Sequence, residues 1–262
     1  MVLLIASVFP VVIFLYMIYQ KDHEKEPLSL LLKCLFGGCI STLISLTMSI
    51  PLSNFAEFFQ GDLLSSFYGS FFEAAIPEEV AKFVVLYFIV WKSKELNHHY
   101  DGIVYAVFVS LGFALVENII YVMEGGLGVA IARAVLAVPG HGFDGVLMGF
   151  YFSLAWFHEG TERRNYLFKS LWVPILFHGA YDFLLFYIAA STESAILLLV
   201  LLVAFAWFLI KLWRRGFHKI KMHLERDGKF IAAQQQAKEI QQSTQQQVQE
   251  IQQNTQHPSQ HP

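Results

Sequence analysis

The sequence predicts an all-α fold, a polytopic transmembrane bundle of about seven spans with its N-terminus outside and its C-terminus cytoplasmic. Three observations carry this. Apolar residues make up 55% of the 262 residues and charged residues only 15%, against about 45–50% and about 25% in soluble domains. The mean hydropathy is +0.48, although the C-terminal segment is mostly Gln and charge. Of the connections between the apolar stretches, only alternate ones carry Lys or Arg. This composition excludes a disordered chain, a nucleic-acid binder and a conventional soluble enzyme. The net charge of −3 adds little. Cys34 and Cys39 lie in one apolar run and supply neither a disulfide framework nor a zinc pattern.

A spanning helix needs about 20 mostly apolar residues. In order, the candidates are Val2–Tyr19, Leu28–Leu52, Ser66–Trp91, Gly102–Met123, Gly128–Phe157, Phe168–Ala190 and Ser194–Trp213. The first is not a cleavable signal, because its positive charges, Lys21 and Lys25, follow it. Segments 20–27, 92–100 and 158–169 and the tail carry Lys or Arg; 53–65, 124–127 and 191–193 carry none. Basic connections are cytoplasmic, which sets the orientation. Residues 1–213 thus form a transmembrane domain. Residues 214–262 form a cytoplasmic tail, basic and then Gln-rich, expected to be disordered or loosely helical. Its basic start suits an anionic leaflet. Its imperfect 11-residue repeat, from Glu239 and from Glu250, leaves it open to self-association or to a cytoplasmic partner.

Ionisable residues inside spans are costly, about 2.5–3.5 kcal/mol each at a helix centre, and by default mark function. The third stretch holds Pro77-Glu78-Glu79-Val-Ala-Lys82. Its three charges would cost roughly 7–10 kcal/mol, while each apolar residue returns only about 0.3–0.6 kcal/mol. They must face other helices or a water-filled cavity. Proline favours the first turn of a helix, so a helix is expected to start or kink at Pro77, with both glutamates in its first turn. Lys82 lies three and four residues on and can pair with either. One lysine cannot neutralise both, which leaves a carboxylate for other work.

The fourth span carries Glu117-Asn118. Glu117 fits a supporting partner, a metal ligand or a bundle hydrogen bond. In the fifth, His141 and Asp144 share a helix face, and Arg133 is expected to snorkel outward. In the sixth, His178 and Asp182, at i and i+4, share a face, so the aspartate fixes the imidazole tautomer. Converging carboxylates and imidazoles point to acid–base chemistry on water, and in a membrane to peptide hydrolysis.

These residues resemble the PrsW family of intramembrane proteases, relatives of the CAAX prenyl proteases. Pro77-Glu78-Glu79-Val-Ala-Lys82 is similar to the family's E-E-x-x-K motif. The same holds for His99-Tyr-Asp-Gly-Ile-Val-Tyr105, Ser110-Leu-Gly-Phe-Ala-Leu-Val-Glu117-Asn118, Met148-Gly-Phe-Tyr151 after His141, and His178-Gly-Ala-Tyr-Asp182. The likeness runs over residues 1–213 and leaves out the tail. It implies a cell-membrane protease that makes site-1 cuts in single-pass membrane proteins, such as anti-sigma factors, in stress signalling. It also implies dependence on Glu78, Glu79 and His178.

The residue chemistry supports a matching hypothesis. Glu78 or Glu79 takes a proton from water, and His141 supports that water or binds a metal. His178, oriented by Asp182, stabilises the oxyanion or protonates the leaving amine. Lys82 holds the other glutamate, with Glu117 and Asn118 in support. A metal-free and a metal-assisted route both fit; Zn²⁺ would draw on Glu79, Glu117, His141 and His178. A proton-coupled transporter would also use buried Glu, Asp and His, but the chain has no matching halves. A non-catalytic adaptor acting through its tail is the other class. Prenyl-protein peptidases usually carry an arginine where this chain has Lys82, which argues against that substrate.

Overall fold

The structure, a computed structural model, describes residues 1–191 and 195–256. Expectations that touch residues 192–194 and 257–262 lie outside them. Among the described residues there is no strand. The helices are α1 (Val2–Lys21), α2 (Leu28–Ser53), α3 (Asp62–Tyr68), α4 (Ile76–Val90), α5 (His99–Val135), α6 (Ala137–Trp156), α7 (Gly160–Ala190) and α8 (Ala195–Gln256). A 3-10 turn covers Ala56–Phe58, and a π-helical segment, Gly69–Ala75, joins α3 to α4.

Among the described residues, five helical stretches are long and apolar enough to cross a membrane. One is His99–Trp156, which contains both α5 and α6. The expected connection at 124–127 appears there as a break at Gly126, whose φ of 74° is open to glycine alone. The third expected span is helical from Asp62 to Val90 but changes from α to π to α on the way. Helix α7 begins at Gly160, ahead of the apolar run. Helix α8 continues through the expected boundary at 213/214.

Residues 1–224 form one compact unit. Helix α5 is its axis, with every residue from Tyr100 to Ala114 buried. Close helix approach needs small residues. At Gly38 on α2 a Cβ would lie 2.0 Å from the Val109 carbonyl oxygen, and at Gly149 on α6 it would lie 2.2 Å from that of Gly102. The outer faces of α1 and α2 expose Phe9, Ile13, Phe36 and Leu43, as lipid contact requires. The basic segments gather at one end: Glu24 lies 3.9 Å from His98, and the His99 ring stacks on Phe157 and tilts against His223. The second unit, residues 225–262, is helical as far as Gln256. Ile240 and Val248 there are exposed.

Candidate active site

The site is set up by a local irregularity. Pro77 has no N–H to give the Glu73 carbonyl at i−4. The Ser49 hydroxyl on α2 takes that carbonyl instead, at 2.7 Å. Just before it, the Ile76 N–H bonds back to the Phe71 carbonyl, an i−5 bond that widens the turn. The regular helix α4 then starts, with Glu78 and Glu79 in its first turn, as the sequence led us to expect. On α7, Gly179 lets the Phe71 ring approach to where its own Cβ would clash at 2.4 Å. That contact seats α7 against the π segment.

Four helices then bring their polar groups together. Lys82 is fully buried, and its Nζ donates to Glu79 Oε1 at 2.8 Å and to Glu78 Oε2 at 3.4 Å. It also lies 3.2 Å from His141 Nδ1 and 4.2 Å from the centre of the Phe113 ring. The two glutamates differ. Glu79 is fully buried between Lys82 and His178, whereas Glu78 is partly open, with 14% of its side chain exposed. His178 Nδ1 is 2.8 Å from Glu79 Oε1 and 3.7 Å from Asp144 Oδ2. Its Nε2 is 3.1 Å from Asp182 Oδ2. The His141 and His178 rings meet edge-on with centroids 5.4 Å apart.

The two imidazoles are held alike. Each turns Nδ1 toward the glutamates and Lys82, and each has Nε2 against a carboxylate. His141 Nε2 is 2.9 Å from Glu117 Oε2, and His178 Nε2 faces Asp182. An outer carboxylate on the far nitrogen is how proteins fix a metal-ligating histidine. Glu78, Glu79, His141 and His178 each offer a donor atom, all within 4.8 Å of one another. Glu79 Oε2 is buried and makes no hydrogen bond. A carboxylate and imidazole donor set with one oxygen unclaimed fits a metal ion such as zinc. Glu117 lies outside this group, behind His141, and Glu78 lies inside it.

A cavity of about 290 Å³ opens onto the cluster, lined by Glu78, Glu117, His141, Asp144, His178 and Asp182 among others. Three residues join the site beyond those given a role from the sequence, although the sequence already places Asp144 on the His141 face. Arg133 does not snorkel outward: its guanidinium donates to Glu117 Oε2 at 2.8 Å and to Asn118 Oδ1 at 2.7 Å. Its charge inside an apolar stretch was the available signal. Asp144 lines the cavity from the face it shares with His141. Tyr181 lines it too, with a buried hydroxyl that makes no hydrogen bond. It is the tyrosine of the His178-Gly-Ala-Tyr-Asp182 stretch. Asn118 works at one remove, donating to the Ser7 carbonyl on α1 at 2.7 Å while holding Arg133.

Residues 26–210 match the model of the PrsW family intramembrane metalloproteases. Among curated proteins, Protease PrsW of Geobacillus kaustophilus is 41% identical over 184 residues, covering 70% of this chain and 79% of that protein. Protease PrsW of Bacillus subtilis is 37% identical over 78% of this chain and 90% of its own length. Protease PrsW of Clostridioides difficile is 33% identical over 87% and 93%. No solved structure matches the chain.

Proposed function

Since the chain belongs to the PrsW family of intramembrane metalloproteases, we propose that it cuts single-pass membrane proteins with water activated by Glu78. One observation supports that choice between the two glutamates. Glu78 lines the cavity, whereas Glu79 is fully buried behind it, committed to Lys82 and His178.

Glu78 stands where a water in the cavity can give it a proton as it attacks the peptide carbonyl. His178, kept in one orientation by Asp182, faces the same space and serves the oxyanion or the leaving amine. Lys82 holds the Glu79 carboxylate and limits the negative charge felt by Glu78. Arg133 and Glu117 fix His141. A bound metal ion, held by Glu79, His141 and His178, would polarise the scissile carbonyl and acidify water. Such a three-ligand set leaves a position open for water. Zn²⁺ suits these donors.

The bilayer keeps bulk water from the cluster, which strengthens each charge interaction inside it. The cluster lies toward the end of the bundle away from the basic segments. Glu117 is about 24 Å along α5 from Asp101 and only about 14 Å from Gly126, at 1.5 Å per residue. With basic segments cytoplasmic, the cut falls near the outer leaflet of the cell membrane, close to a substrate's extracytoplasmic boundary. Anti-sigma factors in stress signalling are substrates of this type.

The test compares new protein N-termini in membranes carrying the wild-type chain, Glu78→Gln or Glu79→Gln. Termini near single-pass segments should appear with the wild type and vanish with Glu78→Gln. Equal cleavage by Glu78→Gln at equal abundance would remove Glu78 as the base.

A further inference from the structure

Three cations meet at the basic end of the bundle, where α6, α7 and α8 come together. Lys219 lies beyond the last apolar stretch, on α8, and is half-buried. Its ammonium stands 3.7 Å from the centre of the Phe150 ring and 4.2 Å from that of Tyr151, and it donates to the Tyr151 hydroxyl at 3.2 Å. The Phe150 ring also stacks on His223, which places the group with the basic segments. Arg215, one turn back on α8, lies 5.4 Å over the Phe177 ring, and Lys169 on α7 lies 5.5 Å over Tyr166.

The charges here are of one sign. Among the described residues no carboxylate pairs with Lys169, Arg215 or Lys219; each rests on an aromatic ring instead. Lys82 and Arg133, which also turn into the bundle, both meet glutamates. Burial, with the Arg215 and Lys169 charges beside it, pulls the Lys219 ammonium down to about 8. The aromatic rings hold the three cations in place without cancelling their charge. An anion entering between them would relieve the repulsion. Next to the group, Phe168, Trp172 and Leu176 form an exposed apolar stripe on α7, at i, i+4 and i+8. It runs from beside Lys169 away from the basic end.

We propose that Lys169, Arg215 and Lys219 form a site for the phosphate of an anionic phospholipid of the inner leaflet, whose chains lie along the Phe168, Trp172 and Leu176 stripe. Guanidinium and ammonium donors suit phosphate oxygens, and basic pockets between helices on the cytoplasmic side are where such headgroups bind. The bound lipid ties α8 to α6 and α7, the helices of His141 and His178. The site stands independently of the protease reading.

The experiment is native mass spectrometry of the purified full-length chain, stripped of lipid in detergent and then offered phosphatidylglycerol or phosphatidylcholine. The wild type should keep one phosphatidylglycerol, at least fivefold in preference to phosphatidylcholine. Lys169→Gln/Lys219→Gln should lose that preference. Lys92→Gln/Lys94→Gln removes the same charge from another basic segment, at two exposed positions, and should keep it. Equal retention of the two lipids by the wild type, a comparison that involves no substitution, would overturn the proposal. So would undiminished preference in Lys169→Gln/Lys219→Gln. Equal losses in the two double variants would also overturn it, by showing a diffuse attraction of basic segments to the leaflet instead of a site.

Discussion

Replacing Lys82 with methionine tests whether one buried cation sustains the catalytic cluster. Methionine fills similar space and removes the charge. The ammonium lies 2.8 Å from one Glu79 oxygen and 3.4 Å from one Glu78 oxygen. At an effective dielectric of ~20 these contacts correspond to about 6 and about 5 kcal/mol of gross Coulomb energy. Most of that offsets the cost of taking the charges out of water. Removing one partner of a buried pair typically costs about 3–5 kcal/mol, because the other charge is left uncompensated. We expect Lys82→Met to lose that much stability, read as reversible unfolding in mixed micelles. If the loss comes from the stranded Glu79 carboxylate, the double variant Lys82→Met/Glu79→Gln should recover at least half of it. A loss under about 1 kcal/mol in Lys82→Met would refute the reasoning. So would a double variant whose two losses simply add, since groups in contact should couple.

Two further outcomes follow. Gly38→Ala should destabilise by about 3 kcal/mol or more, because its Cβ meets backbone on α5 that cannot give way. Gly128→Ala, where a Cβ meets nothing within 4 Å, should be neutral or slightly stabilising, and thermal unfolding compares the two. Arg133→Gln should slow cleavage about tenfold at normal abundance, by releasing Glu117 from one of its two partners. Arg133→Lys should restore little, because an ammonium cannot match the guanidinium's contacts to Glu117 and Asn118; a cleavage assay with an abundance control decides it.

The features that follow from local chemistry were legible in the sequence. Pro77 announced the start of α4, and the i+3 and i+4 spacings gave the Lys82 contacts and the His178–Asp182 pair. The π segment was not legible, because nothing within Gly69–Ala75 distinguishes it from an α-helix. Its form depends on Ser49 and Phe71 meeting partners on other elements. Arg133 was misread because snorkelling is the usual fate of a cation near a helix end, and only the fold shows that Glu117 and Asn118 are within reach. The start of α7 was missed for a related reason. Gly160–Leu167 is too polar to register as a span, yet it forms a helix as readily as the apolar run after it. That Asp22 and Glu26 lie beside Asp101 was not legible either, because they are distant from it along the chain.

The wide turn before Pro77 bears on how this region tolerates change in length. An i−5 turn accommodates a residue more than an α turn does, so Gly69–Ala75 acts as a phase shift between α3 and α4. A chain shortened by one residue there could close the segment as an ordinary α turn and leave Glu78 and Lys82 at nearly the same angle. An inserted residue has no such outlet. It would turn the downstream half by about 100°, taking Glu78 from the cavity and Lys82 from His141. Across this stretch a deletion should be tolerated better than an insertion, even though none of its seven residues carries out chemistry.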